Sequence, residues 1–165
     1  MGFKQVLVFA LVILSFNSCA YRFSRSTLPS HLKSINIQPI NNKTYQSILA
    51  DNLQEEIKKT FQKEASSLQQ VNQNGHCELQ IDLNTYSNKA LNFTSSGDVS
   101  EYRTTLGVSV IFIDKIKDEV MYKNETLIGQ GDYDISIGET ESLHGQTRAV
   151  DQLKELIVSN LLSQW

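Results

Sequence analysis

Cys77 to Thr85 reads CELQIDLNT, and its alternation is the strongest constraint in the chain. Cys77, Leu79, Ile81 and Leu83 fall on one side; Glu78, Gln80, Asp82 and Asn84 fall on the other. Successive side chains of a strand point to opposite faces, so this strand has one dry face and one wet face. It belongs in a sheet covered on one side only.

Two segments can supply that cover. In Tyr45 to Glu64, Leu49, Leu53, Ile57 and Phe61 recur at helical spacing with Ala50 and Thr60 beside them, while Asp51, Gln54, Glu55, Lys58 and Lys59 take other faces. In Glu141 to Trp165, Ala149, Leu153, Leu156, Ile157 and Leu161 keep the same spacing, flanked by Val150 and Leu162. Both predict amphipathic helices facing a core. Three more strands are predicted. Ser34 to Ile40 alternates until Pro39, which lacks an amide hydrogen and marks a strand end or edge. Glu101 to Asp114 places Tyr102, Thr104, Leu106, Val108, Val110 and Phe112 on one face, against Arg103, Thr105, Gly107 and Ser109. Lys115-Ile116-Lys117-Asp118 reads as a hairpin connection, with Glu119 to Ile128 returning. Asn41 to Thr44, Ser66 to Gly75, Asn88 to Ser100 and the Gly-rich Gly129 to Gly138 read as turns or irregular segments. The order is β-α-β-β-β-α. Its first two strands, joined through a helix, are expected to lie parallel. The expected fold is an α+β two-layer sandwich, a four-stranded mixed sheet with two helices packed on one face.

The chain has 165 residues, the length of one domain. Its net charge of -3 gives no basic footprint, so no nucleic-acid partner is expected. The amino terminus reads as targeting rather than fold. Lys4 precedes a nine-residue apolar run, Val6 to Leu14 (VLVFALVIL). A bilayer span needs about 20 apolar residues, so the run has the size of a secretory signal. Ser18-Cys19 follows. Cys19 is open to three readings: a buried thiol, half of a disulfide, or the lipidated first residue of a mature bacterial lipoprotein. The third fits best. It divides the chain into a signal peptide (1–18), a lipid anchor and linker (19–33) and a single α/β domain (34–165). Cys77 then has no partner and reads as a small buried apolar residue, with a redox thiol as the alternative. From Cys19 to Ala50 there is no Asp or Glu, yet Arg22, Arg25, Lys33 and Lys43 are present with His31. Such a basic run beside a lipid anchor suits anionic head groups, or it is a solvated linker.

Little in the chain points to catalysis. His31, His76 and His144 lie far apart, without Cys or carboxylate neighbours at metal-ligand spacing, so no metal and no cofactor is expected. GQGDY, Gly129 to Tyr133, holds a lone G-x-G that lacks a third glycine and opens no helix; it reads as a bend after a strand. Asn42-Lys43-Thr44, Asn92-Phe93-Thr94 and Asn124-Glu125-Thr126 match the N-glycosylation pattern, which a bacterial lipoprotein signal makes irrelevant. No catalytic residues are nominated.

Several motifs, taken in order, resemble the LPS-assembly lipoprotein family, LptE. CAYRFS (Cys19 to Ser24) resembles the family's Cys-Gly-Tyr-x-Phe start. LPSHLKSINIQPINNKT (Leu28 to Thr44) resembles its opening strand and turn, and EYR at Glu101 to Arg103 opens a long strand. Ala20 stands where the family has Gly, and Phe16-Asn17 depart from the usual residues ahead of a lipidated cysteine. The resemblance implies a non-enzymatic, periplasm-facing outer-membrane lipoprotein. Such a protein plugs the LptD β-barrel and helps it insert lipopolysaccharide into the outer leaflet. From charge and placement, Arg103, Lys115 and Lys117 are the first candidates for lipopolysaccharide or other anionic contacts, with Arg22 and Arg25 in the linker. The alternative is a subunit of another envelope assembly or secretion complex, similar to CsgG or the TolB amino-terminal domain. Mass spectrometry of the mature chain from its native host should find a lipid adduct on an amino-terminal Cys19; an unmodified thiol there overturns the lipoprotein reading.

Overall fold

The computed structural model describes residues 28–163. The segment 1–18, Cys19, Arg22 and Arg25 lie outside the described residues, as do residues 164 and 165. Six strands and two long helices follow in the order β1 (Ser34–Ile37), β2 (Asn41–Asn42), α1 (Ser47–Glu64), β3 (Gln69–Val71), β4 (Cys77–Phe93), β5 (Val99–Asp114), β6 (Glu119–Asp134) and α2 (Gln146–Ser163). A 3-10 turn (Ile135–Ile137) and a π-helical turn (Glu141–Gly145) bridge β6 to α2.

The sheet runs β3-β1-β4-β5-β6, and β2 also pairs with β4. β1 lies parallel to β3 and to β4, while β4, β5 and β6 form an antiparallel meander. The sheet therefore has six strands, two more than the sequence predicts. β2 continues the line of β1 along β4 after the interruption at Pro39. β3 comes from the polar segment after α1. Two- and three-residue strands are too short for a side-chain period to register; backbone pairing with a neighbour makes them.

The long strands also exceed their predicted bounds. Asn88 to Phe93 belongs to β4 and Gly129 to Asp134 to β6, although both read as irregular. In β4 the cause is a bulge between Leu83, opposite Val108, and Thr85, opposite Gly107. One extra residue shifts the alternation, so the even-numbered Tyr86 and Asn88 turn toward the helices. Tyr86 packs against the core, and Asn88 Nδ2 donates to Tyr133 OH at 2.7 Å.

Both helices lie on one face. The buried residues of α1 are Leu49, Ala50, Leu53, Ile57, Thr60 and Phe61, as its stripe predicts. α2 buries Ala149, Val150, Leu153, Ile157, Val158 and Leu161. These meet Ile35, Cys77, Leu79, Ile81, Leu83, Leu106, Val108, Val110 and Phe112 in a single core. Burying one large aliphatic side chain contributes about 1.5–3 kcal/mol, so the interlayer contact dominates stability.

The G-x-G of β6 is part of that contact, not a bend. A Cβ at Gly129 would strike Ala149 O and the Leu153 side chain; one at Gly131 would strike Gly145 O and the Ala149 amide nitrogen. α2 thus packs directly on bare backbone. The same helix closes the free edge of β6. Gln152 Oε1 accepts from the Gln130 amide at 2.5 Å, and the Arg148 guanidinium donates to the Asp132 carbonyl. Edge groups satisfied in this way do not template pairing with another chain. Gly131→Ala should overpack this contact and cost about 1–3 kcal/mol, or more where the backbone cannot shift. A fall in the urea midpoint at unchanged m-value checks it.

Candidate functional site

Opposite the helices, the second face of the sheet carries no covering layer among the described residues. Its polar side chains satisfy one another. Arg103 and Asp132 sit opposite each other on β5 and β6. Nε donates to Oδ1 at 2.6 Å and Nη2 to Oδ2 at 2.7 Å. The guanidinium lowers the Asp132 carboxyl below its ordinary range, and the carboxylate raises Arg103 in return. Lys43 Nζ donates to Asp82 Oδ2 at 2.7 Å and to Asn84 Oδ1 at 3.2 Å, and Asn84 Nδ2 donates to Ser109 Oγ at 3.0 Å. All this is half exposed, so water screens the charge pairs and they add little to stability. What they supply is a polar face held in fixed geometry. Asp132 takes two of the five Arg103 donors and balances its charge, so Arg103 has less to offer a phosphate than an unpaired lysine.

Lys115 and Lys117 differ from Arg103. Both are exposed at the β5–β6 turn, and neither forms an ion pair among the described residues. The turn is built on Asp114, which is 2% exposed. Its Oδ1 accepts the amides of Ile116 at 2.9 Å and Lys117 at 3.1 Å. Its Oδ2 lies 2.5 Å from His31 Nε2, which donates to it. The amino-terminal segment is thereby fastened to the hairpin across 83 positions of sequence. Burial pushes the Asp114 carboxyl up, but His31 and the two amides more than offset it and hold it below the usual value. No sequence pattern joins two single residues so far apart, so this contact was not foreseen.

Cys77 pairs in register with Asp114 and is fully buried. Its Sγ donates to Ser34 O at 3.3 Å. Burial, with help from the Asp114 charge, pushes the thiol up to about 12. It is a core residue and a poor nucleophile. The histidines do not converge: His76 Nδ1 accepts the Lys33 amide at 3.1 Å, 43 positions away in sequence, and His144 Nδ1 accepts the Thr140 amide at 3.0 Å as a local cap. Among the described residues no three His, Cys, Asp or Glu side chains are grouped to hold a metal ion. A cleft between α1 and α2, lined by Leu49, Glu55, Glu56, Gln146, Val150 and Asp151, is acidic. Lys59 and Lys154 pair its carboxylates at 2.7–3.5 Å.

The fold and surfaces define a two-layer α+β domain built to present a bare sheet face and two hairpin turns. The chain belongs to the LptE lipopolysaccharide-assembly family, which matches residues 32–164. Three solved structures have a similar fold. The hypothetical protein CT253 from Chlamydia trachomatis is 10% identical with a TM-score of 0.56, over 79% of this chain and 95% of that one. A minor lipoprotein from Acinetobacter baumannii is 17% identical with a TM-score of 0.52, over 81% and 95%. The PelC dodecamer from Paraburkholderia phytofirmans is 13% identical with a TM-score of 0.51, over 82% and 93%. No curated protein matches the sequence.

The Asp114 junction carries a pH signature. Its folded-state pKa is depressed, so its stabilisation is fully present above the unfolded-state value of about 3.9 and is lost as pH falls through the folded value. Asp114→Ala should cost about 1–3 kcal/mol at neutral pH by stranding its donors. The gap from wild type should shrink below about pH 4. Urea midpoints of both chains across that range decide the matter.

Proposed function

We propose that this protein is a non-catalytic lipoprotein of the outer membrane that faces the periplasm, assembles with the LptD β-barrel and plugs its lumen. There it serves lipopolysaccharide transport into the outer leaflet. The observation that carries this reading is the LptE family match across residues 32–164. The physical form of the domain supports it. A barrel lumen is polar, and the bare sheet face, with Gln80, Asp82, Asn84, Arg103 and Ser109 held by internal hydrogen bonds, offers polar groups to a wet wall.

Anchoring follows the same reading: cleavage after residue 18, lipid on Cys19, and a basic linker with Arg22 and Arg25 before the domain. Lipid-borne phosphates call for Arg or Lys. Lys115 and Lys117 have free ammonium groups for that role, whereas Arg103 must compete with Asp132. The rival reading is a ring-forming subunit of another envelope assembly, and the dodecameric relative has a compatible fold. Affinity purification of the tagged chain from outer membranes should bring down LptD, and depletion of the chain should lower folded LptD and surface lipopolysaccharide. Recovery of a homo-oligomeric ring without LptD would favour the rival.

A further inference from the structure

We propose that the β5–β6 turn is a foot resting on the anionic surface of the bilayer that holds the chain. Lys115 and Lys117 meet lipid phosphates, and Ile116 lies between them at the interface. The proposal rests on lipid anchoring at Cys19 and specifies which part of the domain the anchor brings to the membrane.

Chain geometry sets the position. His31 touches the base of the turn through Asp114. From Cys19 to His31 there are about twelve residue steps, which span at most about 40 Å in any conformation. β5 and β6, 16 residues each, extend about 50 Å to the opposite end of the sheet. The β5–β6 turn is therefore the end that a lipid on Cys19 keeps close, and the β4–β5 turn is the end it keeps away.

The chemistry at this end matches. Ile116 is 54% exposed at the tip, flanked by two unpaired lysines. Lys33, also near the surface, lies two residues after His31, and Arg22 and Arg25 fall in the tether itself. Asp118 and Glu119 are the opposing acids at the turn; Asp114 is occupied by His31 and by backbone amides. At this end the exposed Lys33, Lys115 and Lys117 outnumber those two acids. Each lysine near an anionic leaflet contributes about fivefold to its apposition. The His31–Asp114 contact places the start of the described chain at the base of the foot.

The test uses the full lipoprotein reconstituted in vesicles, with Ile116→Cys or Phe93→Cys carrying an environment-sensitive fluorophore. Cys77 is buried and does not compete for label. In vesicles of equal parts phosphatidylcholine and phosphatidylglycerol, the probe at 116 should shift to an apolar signal and be quenched by head-group spin labels. The probe at 93 should stay in water. Lys115→Glu combined with Lys117→Glu, or molar salt, should return the 116 probe to water while the chain still floats with the vesicles. A 116 probe that stays in water on a floating chain overturns the foot and leaves the anchor standing. A response confined to vesicles containing lipopolysaccharide overturns it too, by making the turn a lipopolysaccharide contact. Flotation of Cys19→Ser as complete as that of wild type overturns the anchor, and the proposal with it.

Discussion

The packing of two amphipathic helices on one face of the β4-β5-β6 meander determines the rest of this molecule. α1 contributes a regular four-residue stripe and needs nothing unusual from the sheet. α2 lies over β6 and approaches so closely that Gly129 and Gly131 must be bare. From that approach the polar side of α2 gains its second task. Gln152 and Arg148 reach over the edge of β6 and satisfy two of its outward backbone groups, the Gln130 amide and the Asp132 carbonyl. A 16-residue edge strand would otherwise invite pairing with other chains. One helix therefore seals the core, and its side chains occupy part of the sheet's long edge.

Because both helices use the same face, the opposite face is left bare; it carries the polar residues of β4 and β5 together with Ile111, Ile113, Val120 and Ile128. Its ordering comes from cross-strand pairs: Arg103 with Asp132, and Lys43 with Asp82. Half exposed, these do little for stability. They do fix where charges stand on a flat surface. The same logic separates Arg103 from Lys115 and Lys117. A bidentate guanidinium with a carboxylate opposite is already committed, while a lysine on a turn is available.

The core was legible in the sequence and the edges were not. The buried set of α1 follows directly from its spacing, and the dry face of Cys77 to Leu83 follows from alternation, because burial on one side writes a period into the chain. β2 and β3 wrote none, being too short, and exist through pairing with β4 and β1. Asn88 to Phe93 looked irregular because a bulge at Thr85 shifts the period. Gly129 to Asp134 looked irregular because helix docking, not a turn, demands its glycines. Arg103, Lys115 and Lys117 were found by charge alone. Their difference came from partners that only the fold supplies, and the His31–Asp114 junction had no signal in either residue's neighbourhood.

That junction gives the domain a direction. Strands of 16 residues place the β4–β5 turn about 50 Å from the β5–β6 turn. The chain enters the domain at the β5–β6 end, where Lys115, Lys117, Asp118 and Glu119 are exposed with Ile116 and Val120. The far end is different: Phe93 lies exposed at its hairpin, with Ile137 and Leu143 on the turns that lead into α2. Isolated apolar groups on a surface are ordinary. Ile116 and Val120 are exposed at the β5–β6 end as well, so the two ends differ in the lysines of the one and the larger apolar side chains of the other. With the amino-terminal segment entering at one end, the other end and the bare sheet face stand open. The polar face suits a wet barrel wall, and the apolar tips suit contacts that exclude water. His31 and Asp114 therefore set the end of the domain at which the amino-terminal segment joins it.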